Sequence, residues 1–294
     1  WNIDYSVPTQ SRVTATCVDA FSIFASIQLD EFTFTNGQRA DQRIISLLAL
    51  PELSGVNITT SLEAGESTLA DDTVALGTSS LDYLQRINSS EQGYLFINGN
   101  GYLRFRKRTT AYNATIIVFT DQTPALTNEY KYTSVGVQFG TELLYNRVTV
   151  TNDGGTIQTA EDTTSQTDFL TRSLNIADLI LETDAQALQI AQFLLGKYQR
   201  PEFRYDSVTV SLSGLSTANQ NTLFALEPND LVQVKRNFTV GLPLAVSRYG
   251  IIEGISHTIT LTEHSITFSL SPAQGSLRLD NAIFGLLDSN TLGI

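Results

Sequence analysis

Short runs of alternating apolar and polar residues occupy most of the chain, and Asn, Asp and Gly separate them. Such alternation buries one face of a strand, and the separating residues favour tight turns. Three pairs of runs predict β-hairpins, and the clearest pair flanks an Asn-Gly turn at Asn98 and Gly99. The predicted hairpins join residues 93–97 to 102–106, 147–151 to 156–159, and 256–262 to 265–270. Further strands are predicted at residues 1–5 and 12–18, so the sequence indicates a mainly β protein.

Four segments carry helix signals instead. One helix is predicted over residues 38–50 and a second after Ser79 or Ser80. A third begins at Thr183, and a fourth follows Ser216. The first helix has an apolar cluster at Ile44, Ile45, Leu47 and Leu48 and is stopped by Pro51. The third is the best marked, because Gln186 lies at capping-box spacing from Thr183 and Pro201 ends the helical pattern.

The composition fits a folded protein with one large domain or two modest ones. The chain has 294 residues, of which 41% are hydrophobic and 16% are charged, and this is enough apolar material for a core. The longest apolar stretches, at residues 44–50 and 115–119, are far too short to cross a bilayer. No secretion signal opens the chain. We therefore expect a folded protein without a membrane span.

The formal net charge is −12. Binding to the outside of a nucleic acid requires a basic patch, so this charge argues against it. Acidity can serve solubility alone. It can also keep a passing DNA duplex from sticking, by repulsion over about 8–10 Å. Composition leaves both interpretations open.

The chain contains no Met and a single Cys. Because translation starts with Met, we expect a fragment or a processed form without its N-terminal part. One cysteine, Cys17, excludes an intramolecular disulfide and a Cys-based zinc site. It lies in an alternating run, so we expect a small buried side chain rather than a reactive thiol.

Candidate catalytic and metal-binding residues are sparse. His257 and His264 are the only histidines. They flank the last predicted hairpin, where we expect them at the surface. No metal-binding His motif, G-x-S-x-G elbow, phosphate-binding loop or dinucleotide fingerprint occurs. Adjacent acidic residues occur at Asp30-Glu31, Asp71-Asp72 and Glu161-Asp162, as chance predicts among 30 acidic residues. We therefore predict no catalytic, cofactor-binding or metal-binding residues, no cofactor and no enzymatic activity.

One basic cluster, Arg104-Phe105-Arg106-Lys107-Arg108, stands out in the acidic chain. We interpret it as a solvated edge strand whose charges deter aggregation. Contact with an acidic neighbouring subunit and contact with phosphate are the alternatives.

Several strings resemble the minor tail, or baseplate hub, proteins of long-tailed (siphovirus-type) actinobacteriophages. The opening Trp1 and the run Val13–Phe21, ending in Val-Asp-Ala-Phe, resemble the end of that family's first β domain. The other similar strings, in the family's order, are Ser80–Arg106 for the helix-plus-hairpin insert, Asn146–Asp162 for the start of the second β domain, Asp184–Glu202 for its helix, Leu226–His257 for the following strands and Leu279–Gly293 for the C-terminus. The resemblance covers nearly the whole chain, except that a full-length relative has more strands at its start.

The resemblance implies a baseplate-hub fold of tail-tube-like β-barrel or sandwich domains with an inserted α+β domain. The implied segments are residues 1–35 for the end of the first β domain, 36–128 for the insert, 129–272 for the second β domain and 273–294 for a C-terminal tail. The boundary at 128 rests on a local polar shift around Asp121-Gln122-Thr123-Pro124.

The resemblance further implies a trimeric ring at the tail tip that closes or continues the tail tube and lets viral DNA pass. Its partners are then the distal tail and tail tube proteins, the tape measure protein and receptor-binding proteins. The location is the virion, after synthesis in the cytoplasm of the host bacterium. In this setting a DNA-repelling channel wall becomes the favoured explanation of the acidity.

Two other functions compete with a structural hub. A receptor-binding adhesin for host glycans needs an exposed aromatic platform, for which Tyr130-Lys131-Tyr132 is the local candidate. Because strand tyrosines more often lie in a core or an interface, we prefer the hub. A cell-wall hydrolase needs a further globular segment, and none remains once the β domains are assigned.

Overall fold

The computed structural model describes residues 2–6, 10–110, 116–124, 126–200, 203–238, 245–273, 276–277 and 291–292. Within these residues the chain is mainly β, as predicted. The strands are β1 (Asn2–Ser6), β2 (Gln10–Thr14), β3 (Phe32–Phe34), β4 (Gln38–Arg39), β5 (Thr60–Leu62), β6 (Thr68–Leu69), β7 (Asp72–Val74), β8 (Tyr94–Ile97), β9 (Leu103–Arg106), β10 (Ile117–Thr120), β11 (Glu129–Lys131), β12 (Ser134–Phe139), β13 (Arg147–Asn152), β14 (Gln158–Glu161), β15 (Ser173–Leu179), β16 (Phe203–Ser211), β17 (Leu231–Asn237), β18 (Ala245–Ile259), β19 (His264–Pro272), β20 (Ser276–Leu277) and β21 (Thr291–Leu292). The helices are α1 (Phe21–Ser26), α2 (Ala40–Leu48), α3 (Ser80–Glu91), α4 (Thr163–Phe169), α5 (Asp184–Tyr198) and α6 (Thr217–Phe224).

The largest element is a seven-stranded sheet with the order β11-β10-β17-β18-β19-β16-β12, here called the large sheet. Its first two pairings are parallel and the others are antiparallel. One face forms a core in which the rings of Phe119 and Phe268 are fully buried and stack at 5.3 Å between centroids. Burying such a side chain contributes about 1.5–3 kcal/mol, so this face holds the sheet together.

The opposite face carries hydroxyl groups over β12, β16, β18 and β19. The register places Thr209 beside Thr267, and their hydroxyl oxygens lie 2.9 Å apart. Because side chains alternate along a strand, the same face carries the following residues, here called the hydroxyl face: Ser134, Ser207, Thr209, Ser211, Ser256, Thr258, Ser265, Thr267 and Ser269. This surface is polar and free of side-chain charge at these nine positions.

Helices α1–α3 and strands β3–β9 build a second core, here called the mixed unit. Its fully buried side chains include Phe24, Phe34, Ile44, Leu84 and Phe105. The strands pair as three small sheets, β3-β7, β4-β6 and β5-β9-β8. The mixed unit combines helices and strands, and α1 and β3 come from the segment 1–35 that we assigned to the end of the first β domain.

Strands β13–β15 with α4 and α5 build a third core, here called the small unit. The sheet order is β14-β13-β15, and α5 packs Ile190 and Ala191 against Val148 and Val150. A bridge between Leu69 and Leu181 joins this unit to the mixed unit.

Local signals explain where the helices begin. Ser79, Thr183 and Ser216 each accept a hydrogen bond from the backbone N–H three residues later, which satisfies one free donor of the first turn. Thr183 and Gln186 form the predicted capping box. The first predicted helix is shorter than expected, because residues 38–39 form β4 and Pro51 opens a separate 3-10 turn.

All three predicted hairpins are confirmed. The pairs are β8–β9, β13–β14 and β18–β19, each antiparallel. The last turn comprises residues 260–263, so His264 lies in β19 and not in the turn. The first turn spans residues 98–101, where the Gly101 N–H donates to the Asn98 carbonyl at 2.9 Å and Gly101, with a φ of 78°, supplies the left-handed residue.

The predicted N-terminal strands are present as β1 and β2, while Trp1 lies outside the described residues. The prediction of a buried Cys17 is wrong, because β2 ends at Thr14 and Cys17 is exposed in the irregular stretch that follows.

The division of the chain at residues 35, 128 and 272 stays a prediction. Strand β10 lies before residue 128 but pairs in parallel with β17 of the large sheet. The small unit forms its own core inside the segment 129–272. Most of segment 273–294 lies outside the described residues.

Candidate functional site

The three cores meet around a cleft of about 650 Å³. The mixed unit contributes the end of α3 and strand β8, the small unit contributes α5, and the large sheet contributes β18 and β19. Half-buried aromatic side chains line the cleft at Tyr94, Phe96, Phe193 and Tyr198. Lys197, Arg108 and Glu253 supply its charged groups.

Glu253 connects all three units at this cleft. Its carboxylate accepts a hydrogen bond from the Tyr94 hydroxyl at 2.9 Å and from Lys197 Nζ at 3.4 Å. It also accepts one from the Ser271 hydroxyl. These donors belong to the mixed unit, the small unit and the large sheet, so one side chain of β18 ties three packing units together.

The basic cluster forms the junction between the mixed unit and the loop before β17. Arg104 Nε lies 2.9 Å from Glu227 Oε2, and Arg106 Nη1 lies 2.8 Å from Asp230 Oδ1. Arg106 also donates to the Pro228 carbonyl at 2.9 Å. The prediction of a solvated edge strand is wrong, because β9 is the central strand of β5-β9-β8 and its charges are paired inside the chain.

The remaining cations of the cluster stay within the mixed unit. Lys107 Nζ lies 3.3 Å from Glu66 Oε1, and Arg108 Nη1 lies 3.1 Å from Glu91 Oε1. Glu91 is fully buried. Burial raises the pKa of the Glu91 carboxyl, although the charge of Arg108 opposes this change. The basic cluster therefore serves internal cohesion.

The loop from Glu227 to Asp230 is shaped by its own side chains. Asp230 Oδ2 accepts a hydrogen bond from the Glu227 backbone N–H at 2.8 Å. Asn229 takes a left-handed φ of 71°, which asparagine tolerates better than most residues. Its side-chain amide donates to the Lys107 carbonyl at 2.8 Å, and its backbone N–H donates to the Ile252 carbonyl at 2.7 Å. These hydrogen bonds hold the loop in a conformation in which the Glu227 and Asp230 carboxylates face the basic cluster.

A second ionic junction joins the mixed unit to the small unit. Arg86 Nη1 lies 2.9 Å from both carboxylate oxygens of Asp72, and Arg86 Nη2 lies 3.1 Å from Asp153. Close by, the hydroxyl of Ser90 accepts the Ile180 backbone N–H at 2.9 Å. Together with the Glu227–Asp230 loop, this junction holds the mixed unit on two sides.

Residues of two of the adjacent acidic pairs have partners within the chain. Asp72 pairs with Arg86, while Asp162 caps α4 by accepting the Ser165 N–H at 3.0 Å. Glu161 lies beside Arg147 at 3.9 Å. Within the described ranges no group of three or more His, Cys, Asp or Glu residues is placed to hold a metal ion. No helix in the described part of the chain is long and apolar enough to cross a membrane.

The structure brings the two histidines together. His257 is exposed and His264 is half-buried, and His257 Nδ1 lies 3.1 Å from His264 Nε2. The ring of Phe224 from α6 packs against both imidazoles. The sequence did not indicate this contact, because the predicted turn included His264. The observed turn puts both histidines in the strands, where they lie diagonally on one face of the hairpin.

The tyrosines considered as a glycan platform are not exposed. Tyr130 and Tyr132 are only 2% and 8% exposed and belong to the core of the large sheet. The expectation that they lie in a core is confirmed, and this strand offers no aromatic surface to a ligand.

The sequence matches no protein-family model and no curated protein at a significant level. The fold, by contrast, is similar to that of solved tail proteins, one of them from a prophage. A tail protein from Neisseria meningitidis MC58 matches with a TM-score of 0.57 and 12% identity, over 85% of this chain and 71% of that one. The 43 kDa tail protein of prophage MuSo2 from Shewanella oneidensis matches with a TM-score of 0.56 and 13% identity, over 86% and 72%. The chain therefore has the mainly β, multi-sheet fold of these two tail proteins.

Proposed function

We propose that this chain is a non-enzymatic structural component of a bacteriophage tail tip, a hub that forms a trimeric ring and lets DNA pass. The observation that carries the proposal is the fold shared with two tail proteins, one of them from a prophage, over more than four-fifths of the chain. The resemblance of the sequence strings to hub-type minor tail proteins supports the same function. The threefold ring is what this resemblance implies.

The use of charge supports a structural role. Arg86, Arg104, Arg106 and Arg108 all pair with carboxylates of the same chain. Such paired groups are poorly suited to proton transfer or to ligand capture, whereas they fix three packing units in one arrangement.

The two ends of the large sheet support ring formation. Strands β11 and β12 are its edges, and an edge strand presents unpaired backbone groups to a neighbour. Exposed apolar side chains lie at both edges, Leu126 before β11 and Val137 within β12. Contact between the β11 edge of one copy and the β12 edge of the next is heterologous, and such contacts close into a ring when the rotation allows it.

The partners we propose are the tail tube, distal tail, tape measure and receptor-binding proteins of the virion. The chain is synthesised in the cytoplasm of the host bacterium and acts in the tail. Its net charge of −12 favours passage of DNA without adhesion, because like charges repel over about one Debye length.

Light scattering of the purified protein tests the ring. We expect a mass three times that of the 32.2 kDa chain, and Val137→Arg is expected to shift the mass to that of a monomer, since it places a charge at an apolar edge. Ile45→Arg is the matched control, because Ile45 is 55% exposed on α2 of the mixed unit, away from both sheet edges. A wild-type protein that stays monomeric at high concentration contradicts self-assembly into a ring.

A further inference from the structure

The end of the β18–β19 hairpin holds two imidazole rings in contact. Their centroids lie 5.3 Å apart, and His257 Nδ1 lies 3.1 Å from His264 Nε2. The register pairs His257 with Ile266 and Ile259 with His264, so both rings lie on one face of the hairpin. These are the only histidines among 294 residues, and the fold has placed them side by side.

We propose that His257 and His264 form a binding site for a divalent transition-metal cation of the class that imidazole prefers, such as Cu²⁺, Ni²⁺ or Zn²⁺. Imidazole nitrogen binds such cations at about 2.0–2.1 Å. Two nitrogens on one cation therefore lie about 2.9 Å apart at a right angle and about 3.3 Å apart at the tetrahedral angle. In the structure the two nitrogens share a hydrogen bond at 3.1 Å, a separation that falls between these values. A rotation of the exposed His257 ring that breaks this hydrogen bond directs both nitrogens at one cation.

The elements packed around the pair bring no positive charge to it. A histidine must be neutral to bind a metal. Helix α6, which packs Phe224 against both rings, contains no charged residue. Glu263 is the one charged residue of the turn 260–263. No cation of the hairpin turn or of α6 competes for the site.

Two protein ligands make an open site. Among the described residues no third His, Cys, Asp or Glu completes a metal-binding group. The remaining positions are therefore available to water or to a group from another molecule, unlike a closed four-ligand structural zinc site. This inference is independent of the proposed tail function.

Calorimetric titration of tag-free protein with Cu²⁺, Ni²⁺ and Zn²⁺ tests the site. The background variant is Cys17→Ser, because the exposed thiol is the other soft ligand of the chain. We expect one cation per chain, with Cu²⁺ bound most tightly. His257→Ala and His264→Ala are each expected to weaken binding by about tenfold or more, because the second imidazole binds intramolecularly at high effective concentration.

Electron paramagnetic resonance of the Cu²⁺ complex gives the coordinating atoms directly. Two nitrogen ligands in the background variant and one in each single His variant support the site. Thermal melts without metal show whether the variants fold. Absence of binding by the background variant, or binding that both His substitutions leave unchanged in folded protein, overturns the proposal.

Discussion

Replacement of Arg43 by methionine is expected to lower the free energy of unfolding by about 3–5 kcal/mol, because each buried acceptor left without a donor costs about 1–3 kcal/mol. Arg43 is fully buried in the mixed unit. Its guanidinium donates to Gln38 Oε1 at 2.6 Å, Tyr83 Oη at 3.0 Å, the Thr35 carbonyl at 2.9 Å and the Ala70 carbonyl at 2.7 Å. These acceptors come from β4, α3 and two loops, so one side chain joins the elements of the core.

Aromatic packing adds to the effect of the substitution. The Arg43 guanidinium lies 5.0 Å from the centroid of Phe34, whose ring stacks on Tyr83 at 5.1 Å. A cation over an aromatic face contributes up to about 2 kcal/mol when it is desolvated. Methionine fills much of the volume but supplies neither the charge nor the donors.

Urea unfolding followed by circular dichroism measures this change. Arg147→Met is the control, since that side chain is 48% exposed and its carboxylate neighbour Glu161 lies at 3.9 Å. We expect the control to stay within about 0.5 kcal/mol of the wild type. A loss below about 1 kcal/mol for Arg43→Met means that the abandoned acceptors find other donors.

Helix α2 shows what the sequence could and could not predict about the core. The apolar cluster predicted the helix, and Ile44 and Leu47 are indeed fully buried. Ile45, however, is 55% exposed, while Arg43 is fully buried. Helical periodicity fixes which residues share a face, but it cannot show that carbonyls from distant loops converge on a guanidinium.

Elsewhere too, features that depend on nearby residues were predicted, and features that depend on distant residues were not. The caps at Ser79, Thr183 and Ser216 and the three hairpins depend on residues close in sequence, so the pattern predicted them. The interpretation of residues 104–108 as an edge strand was wrong, because β9 gains its second neighbour from β5, more than 40 residues earlier. Its acidic partners Glu227 and Asp230 lie more than 120 residues away. No local pattern contains such pairings.

The histidine pair lies between these two cases. The hairpin was predictable, but its predicted strands, 256–262 and 265–270, left His264 in the turn. The contact of the two histidines and the packing of Phe224 required the exact turn, residues 260–263, and the position of α6. The sequence therefore predicted two surface histidines but not their contact.

Replacement of Arg108 by methionine is expected to cost about 3–5 kcal/mol at pH 7, the usual effect of removing one partner of a buried ion pair. Glu91 is fully buried, and its carboxylate also accepts the backbone N–H groups of Glu66 at 3.0 Å and Ser67 at 2.8 Å. The substitution leaves this negative charge in the core without its cation. Lys107→Met is the matched control, because Lys107 and Glu66 are about one-third exposed, and such pairs contribute about 0–1 kcal/mol.

The cost of Arg108→Met is expected to fall as the pH is lowered. Burial already raises the pKa of Glu91, so the folded protein binds this proton more tightly than the unfolded chain. The stability from this group is therefore greatest below the unfolded pKa of about 4.3 and declines as pH rises through the folded pKa. The positive charge of Arg108 opposes the rise in the Glu91 pKa. Without Arg108 the pKa of Glu91 rises further, so a proton neutralises the unpaired carboxylate at higher pH.

Urea unfolding at pH 7 and pH 5 separates this cause from loss of packing. If the unpaired charge of Glu91 is the cause, Arg108→Met loses less stability relative to the wild type at pH 5, and Glu91→Gln in the same chain restores part of the loss at pH 7. If instead the guanidinium acts through its contacts with Ser67 and the Glu91 carbonyl, the loss is independent of pH and the double variant is no more stable than the single one. Coupling between residues in contact is about 0.5–3 kcal/mol, which this comparison resolves.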